Sequence, residues 1–190
     1  LLDRVIARQA DLVAQWLLVG FIHGVMNTDN TSISGETIDY GPCAFMDAYD
    51  PAQVFSSIDR EGRYAYGNQP AIAHWNLARL AEAMLPLFDT DRDRAIERAA
   101  AALDRFPVLF DQHWSAGMRA KLGLFMEEPQ DRALIDDLLA WMQRNSADFT
   151  NTFRALTMSS GTDNRTDPDF QAWHARWGAR RQRQPGARAA

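Results

Sequence analysis

From Gly20 to Gln69 the chain shows no sustained apolar period, while the stretches on both sides of it read as helices. That asymmetry points to a mainly helical, bundle-like domain interrupted by one long irregular segment. Ahead of it, Val5, Ile6, Ala10, Leu12, Val13, Trp16 and Leu17 recur at three- and four-residue spacings, so residues 3–19 form an amphipathic helix ended by Gly20. Behind it, Pro70 suits a first helical turn. Ile72, Trp75, Leu77, Leu80, Met84 and Leu87 then make a wide apolar face. Further helices are expected from Asp91 to about Leu109, over 111–125, from Leu134 to Met142, from Asp148 to Leu156, and around Phe170, Trp173 and Trp177. The Trp and Met positions at helical spacing read as core.

The irregular segment divides into parts. Residues 21–30 read as a loop. Thr31 to Asp39 reads as one small β-hairpin turning at Ser34-Gly35-Glu36. Pro42 stops any continuation. Residues 42–69 are rich in Gly, Pro, Asp and aromatics, and long ordered loops of this kind often carry function. Ser159 to Asn164 is a further loop. Residues 1–178 are taken as the folded domain and 179–190 as a disordered Arg-rich tail, its Arg180, Arg181 and Arg183 solvated.

Composition narrows the function classes. The charged fraction of 24% suits a folded domain. No run of 18 apolar residues exists, so no membrane span is expected. The start, Leu1-Leu2-Asp3-Arg4, has no signal-peptide pattern and reads as the interior of a longer chain. A net charge of -5 argues against nucleic acid as a partner. Cys43 is the single cysteine, which suits a reducing compartment, and a cytoplasmic protein of bacterial origin is expected.

The chemistry concentrates in His23-Gly24-Val25-Met26-Asn27-Thr28-Asp29-Asn30 and, nine residues on, Asp39-Tyr40-Gly41. Asn30 and Asp39 offer oxygen ligands of the kind that hold Mg²⁺ carrying nucleotide phosphates. A His, an Asn seven residues later and then Asp-aromatic-Gly follow the order of the catalytic and metal loops of protein kinases. Val25 stands where a kinase has its acid, and a carboxylate appears instead at Asp29. An Asx-turn or helix cap is the plain alternative for Asp29-Asn30. His23 reads as a brace for the loop. Asp47 and Asp50 read as loop caps or supporting groups, and Tyr64, Tyr66, Asn68 and Gln69 as an acceptor groove or as loop packing. A kinase-type ATP site also needs a Lys held by a Glu. The only lysine, Lys121, lies too far downstream, and no Gly-rich phosphate loop occurs. The chain therefore carries half a nucleotide site.

Residues 23–30 and 37–42, the runs Phe45 to Pro51 and Gly62 to Pro70, Trp75-Asn76-Leu77, Lys121-Leu122-Gly123-Leu124 and Asp148-Phe149-Thr150 together resemble the selenoprotein O family, also called SelO, YdiU or UPF0061. The likeness covers roughly residues 1–160. It implies a kinase-like fold, of which this chain is the C-lobe without the N-lobe. The activity implied is protein adenylyltransfer: AMP moves from ATP, bound reversed relative to a kinase, to Ser, Thr or Tyr hydroxyls of protein substrates. Carried over by position, Asp29 is the proton acceptor, Asn30 and Asp39 hold Mg²⁺ (or Mn²⁺), and Asp39 also lies against ATP. The family's Lys, its partner Glu and its phosphate-binding Arg residues fall upstream of Leu1, so the isolated chain is expected to be inactive. Thr31 and Cys43 depart from common family residues, as does the turn at Ser34-Gly35-Glu36. A kinase-like phosphotransferase and a non-catalytic helical binding module remain open as other readings.

Overall fold

The computed structural model describes residues 1–157 and 167–185. The chain is mainly helical, with seven α-helices and one two-stranded antiparallel pair among the described residues. None of these helices is long and apolar enough to cross a membrane. Two compact units emerge: one from Leu1–Phe45 and Pro51–Trp114, the other from Met46–Asp50 with Ser115 and the described residues after it.

In the first unit, α1 (Leu2–Val19) ends as its sequence demands. Gly20 takes the left-handed conformation, φ 74°, and its N–H turns back on the last carbonyls of the helix. The chain passes directly into β1 (Phe21–Ile22), which pairs with β2 (Ala44–Phe45), Phe21 facing Phe45 and Ile22 facing Ala44. The expected hairpin therefore exists as a β pair beside the loop that carries Asp29, Asn30 and Asp39, but not within Thr31–Asp39. That stretch is a turn without strands, and the two strands instead bracket the whole loop between them. Ile33 and Ile38 are exposed, so no apolar face drives strand pairing there.

α2 (Gln69–Phe88) carries Pro70 in its first turn and continues past Pro86. α3 (Arg92–Leu103) is capped by Asp91, whose Oδ1 accepts the Arg94 N–H at 3.0 Å. The long helical stretch expected to about Leu109 breaks at Asp104, and α4 (Arg105–Lys121) starts immediately. Val5, Ile6, Ala10, Val13 and Leu17 of α1 form the core with Ile22, Ala73, Leu77, Ala81, Ala95 and Ala99. The alanines of α2 and α3 let those two helices pack closely.

In the second unit, α5 (Asp131–Arg144), α6 (Phe149–Thr157) and α7 (Pro168–Gln182) bury Ile135, Leu138, Met142, Phe149, Phe170, Trp173 and Trp177. Each buried indole finds an acceptor: Trp173 Nε1 donates to the Leu134 carbonyl at 2.8 Å and Trp177 Nε1 to the Leu122 carbonyl at 2.9 Å. Met46–Asp50 belongs here because its backbone pairs with the turn before α6. The Tyr49 N–H donates to Ala147 and the Phe149 N–H to Asp47.

α7 corrects the sequence reading of the tail. The helix runs through Gln182, and Arg180, taken as solvated, is 3% exposed. Its Nε donates to Asp131 Oδ1 at 2.7 Å, and Nη1 lies 3.2 Å from Glu128 Oε1. The carboxylates it pairs with lie about fifty residues away in sequence, and they keep the buried guanidinium from being left unpaired. The loop Ser159 to Asn164 and the end of the tail lie outside the described residues.

Candidate functional site

The site is built on the link from α1 to β1. Gln69, at the start of α2 and fully buried, grips β1 with both ends of its amide. Oε1 accepts the His23 N–H at 2.9 Å, and Nε2 donates to the Phe21 carbonyl at 2.9 Å. A side-chain amide offers a donor and an acceptor side by side, so it closes the hydrogen bonding at the end of a strand too short to hold itself.

His23 then joins the two loops that carry the candidate ligands. Its ring is 1% exposed and packs against Trp16 and Phe21. Nε2 sits 2.7 Å from the Ile38 carbonyl, so Nε2 carries the proton and Nδ1 faces the Val25 N–H at 3.4 Å. That bond fixes the backbone directly before Asp39. Asp39 itself adopts φ 54°, a left-handed conformation rare for residues with a side chain but most accessible to Asp and Asn. Gly24 lets the loops close on each other: φ is +84°, and a Cβ there would lie 3.0 Å from Pro42 Cγ.

Asp29 and Asn30 lie on a single 3-10 turn, Thr28–Asn30. The Asn30 N–H donates to Asn27 O, and its Nδ2 donates to the Val25 carbonyl, both at 3.0 Å. With the NH₂ end anchored inward, the amide oxygen turns away from the loop backbone. Asn30 is half-buried, and Asp29 and Asp39 are exposed. A cavity of about 10 Å³, room for a single water, touches both Asn30 and Ile38.

Four further side chains brace the loop. Asn76, 4% exposed on α2, donates Nδ2 to the Met26 carbonyl and to Thr31 Oγ, both at 3.0 Å. Gln9 of α1 donates to the Ser32 carbonyl at 2.7 Å, and Trp16 Nε1 to Thr37 Oγ at 2.9 Å. The Tyr64 hydroxyl donates to Asn27 Oδ1. Sequence reasoning missed Gln9, Trp16 and Asn76 in this role. The signal was present: Gln9 and Asn76 are amides on otherwise apolar helix faces, where a polar group persists only with a partner. Of the residues offered as an acceptor groove, Gln69 and Tyr66 are buried and brace the backbone, Tyr66 through its hydroxyl to the Leu17 carbonyl. Asn68 donates Nδ2 to the Gly62 carbonyl.

The donor set fits a hard divalent cation. Asn30 and Asp39 offer one amide and one carboxylate oxygen, and Mg²⁺ characteristically takes one or two protein oxygens and completes its shell with water and phosphate. No cluster of three or more His, Cys, Asp or Glu side chains suited to a metal occurs among the described residues, which sets this apart from an all-protein metal cage.

A family model described as "Protein adenylyltransferase SelO" matches residues 1–182. The "Protein nucleotidyltransferase YdiU" of Halalkalibacterium halodurans is 62% identical over 186 residues, covering 97% of this chain and 38% of that protein. Its namesake in Alkaliphilus metalliredigens is 61% identical with the same coverage. That of Bradyrhizobium diazoefficiens is 59% identical and covers 100% of the chain and 40% of the relative. The chain thus spans about two-fifths of the length of these curated relatives.

Proposed function

The chain belongs to the SelO family, and from that premise we propose that the complete protein transfers AMP from ATP to Ser, Thr or Tyr hydroxyls of other proteins. The observation that carries this reading is the His23–Ile38 bond, which holds the Asp29-Asn30 turn and Asp39 as one unit. Family relatives bear the name nucleotidyltransferase, which supports the reaction class.

In this reading Asn30 and Asp39 hold Mg²⁺ or Mn²⁺, which supplies charge neutralisation on the ATP phosphates when bound. Asp39 also lies against the nucleotide. Asp29 sits exposed on its turn, where it accepts the proton of the incoming hydroxyl. The hydroxyl oxygen bonds to the α-phosphorus, the bond from that phosphorus to the bridging oxygen breaks, and pyrophosphate leaves. Asn30 is held by its NH₂ on Val25, and the backbone leading into Asp39 is held by the Ile38 carbonyl, so the loop itself needs little reorganisation when substrate arrives. The single cysteine suits a cytoplasmic setting.

Labelled nucleotide tests the reading in the full-length protein. ATP labelled on the α-phosphate should mark acceptor proteins, and ATP labelled on the γ-phosphate should not. Transfer of the γ-label alone would establish a phosphotransferase instead, and no transfer of either would favour a binding module. The isolated chain, with Lys121 as its only lysine, should transfer nothing. Robust labelling by it would overturn the half-site argument.

A further inference from the structure

Beside the Asp29 turn lies a cationic, aromatic surface that the transfer chemistry does not use. The Trp75 ring is 42% exposed. The Arg63 guanidinium lies 4.9 Å from its centroid and that of Arg79 5.0 Å. Arg63 also lies 5.8 Å from the Tyr64 ring, and the Tyr64 hydroxyl bonds Asn27, two residues before Asp29. On the other flank, a groove of about 320 Å³ is lined by both Arg79 and Thr28, the residue directly before Asp29. Its remaining walls mix Thr31 and Asn76 with Val5, Ile33 and Leu77, a lining suited to a polypeptide side chain.

Charge decides what this surface takes. The Asp59 carboxylate accepts the backbone N–H groups of Arg63 and Tyr64, at 2.8 and 2.7 Å, but the Arg63 guanidinium forms no ion pair among the described residues and lies on the Trp75 and Tyr64 rings instead. Among the described residues Arg79 pairs with Glu82 alone, at 2.7 Å, with side chains 42% and 58% exposed. Exposed pairs contribute little and exchange readily for a better carboxylate. Each guanidinium held against the indole keeps N–H donors for an incoming Asp or Glu, and Arg and Trp are the residue types that anchor interfaces. The chain as a whole is acidic, at -5, so a positive patch at this turn would steer an acidic segment to the one place where a hydroxyl is needed.

We propose that Arg63, Trp75 and Arg79 form the docking surface for the acceptor polypeptide, and that they select acceptors with an Asp or Glu flanking the modified hydroxyl. This rests on the transfer reading above and adds the substrate class to it. The test uses the full-length protein and fluorescent peptides bearing one acceptor Ser flanked by Glu, Gln or Lys. Anisotropy reads binding, and α-labelled ATP reads transfer. The wild-type protein should bind the Glu peptide about tenfold more tightly than the Gln peptide. The R63E/R79E double variant should lose that preference and favour the Lys peptide. The R63Q/R79Q variant, milder in charge and checked for an unchanged melting curve, should bind Glu and Gln peptides alike. Equal binding of Glu and Gln peptides by the wild-type protein would overturn the inference. So would variants that raise KM for ATP and leave KM for the acceptor unchanged, since the arginines would then serve nucleotide phosphate. A Glu preference in binding without transfer to any acceptor would retain the docking surface and remove the adenylyltransfer reading.

Discussion

Gln69 and Asn76 carry no chemistry, yet the geometry of the candidate site depends on them. Gln69→Leu keeps the volume and leaves the His23 N–H and the Phe21 carbonyl without partners. Each of these two orphaned buried groups costs about 1–3 kcal/mol, so a loss of roughly 2–6 kcal/mol is expected in urea unfolding. A change below about 0.5 kcal/mol would show that water replaces the amide. Asp39→Ala is the opposite kind of change. Asp39 is exposed, so stability should fall by no more than about 1 kcal/mol, the cost of Ala in a left-handed backbone that Asp adopts more readily, while transfer by the full-length protein is lost. Near-wild-type turnover in that variant would remove Asp39 from the ligand set. Of the candidate site's residues the sequence singles out those in a chemical motif, His23, Asp29, Asn30 and Asp39. It did not reveal Asn76 and Gln9, because an amide's partner is a backbone group distant in sequence: Gln9 and Ser32 are 23 residues apart, Asn76 and Met26 fifty.

At the level of elements, helix α7 shows how a single pair reassigns a segment. An Arg-rich run after Trp177 has no apolar period and reads as tail. Arg180 nonetheless meets Asp131 at the first turn of α5, where the carboxylate is 2% exposed and also accepts the Glu128 N–H at 2.9 Å. Arg180→Ala leaves that carboxylate buried and unpaired, and should cost about 3–5 kcal/mol. Arg176→Ala removes the Asp137 partner of a pair that is 55% and 51% exposed, and should cost under about 1 kcal/mol. Equal losses from the two variants, read by thermal unfolding of the isolated chain, would show that burial does not distinguish them. The helices themselves were legible because amphipathic spacing and caps are local: Gly20, Asp91 and Pro70 stand where the sequence places them. The strand pair was misplaced within the loop because its register joins residues 21–22 to 44–45, and no local pattern encodes that separation.

For the chain as a whole, stability should vary with pH at both ends of the scale. Burial pushes the Asp131 carboxyl up, but the Arg180 hydrogen bond, the Glu128 N–H and the charges of Arg180 and Arg119 outweigh it and hold it below its ordinary value. A carboxyl lowered by folding stabilises above its unfolded pKa, and this contribution should fade as pH drops below about 4 toward the folded value. Lys121 acts in the other direction. Burial lowers its ammonium from 10.5 to about 8, while its Nζ lies 4.1 Å and 4.4 Å from the Phe153 and Phe149 rings, which favour the charged form. Between about pH 8 and 10.5 the unfolded chain binds more protons, so stability should rise with pH across that window. Lys121→Met should flatten that rise, and a slope unchanged by the substitution would assign it elsewhere. The sequence by itself determined the helical content, the family and the place of the candidate loops, because periodicity, caps and motif spacing are written in neighbouring residues. Tertiary structure alone decided which strands pair, that Arg180 belongs to the core, and that His23 ties the Asp29-Asn30 turn to Asp39. Each of these depends on partners brought together across long loops, where burial and hydrogen-bond satisfaction, rather than local preference, set the outcome.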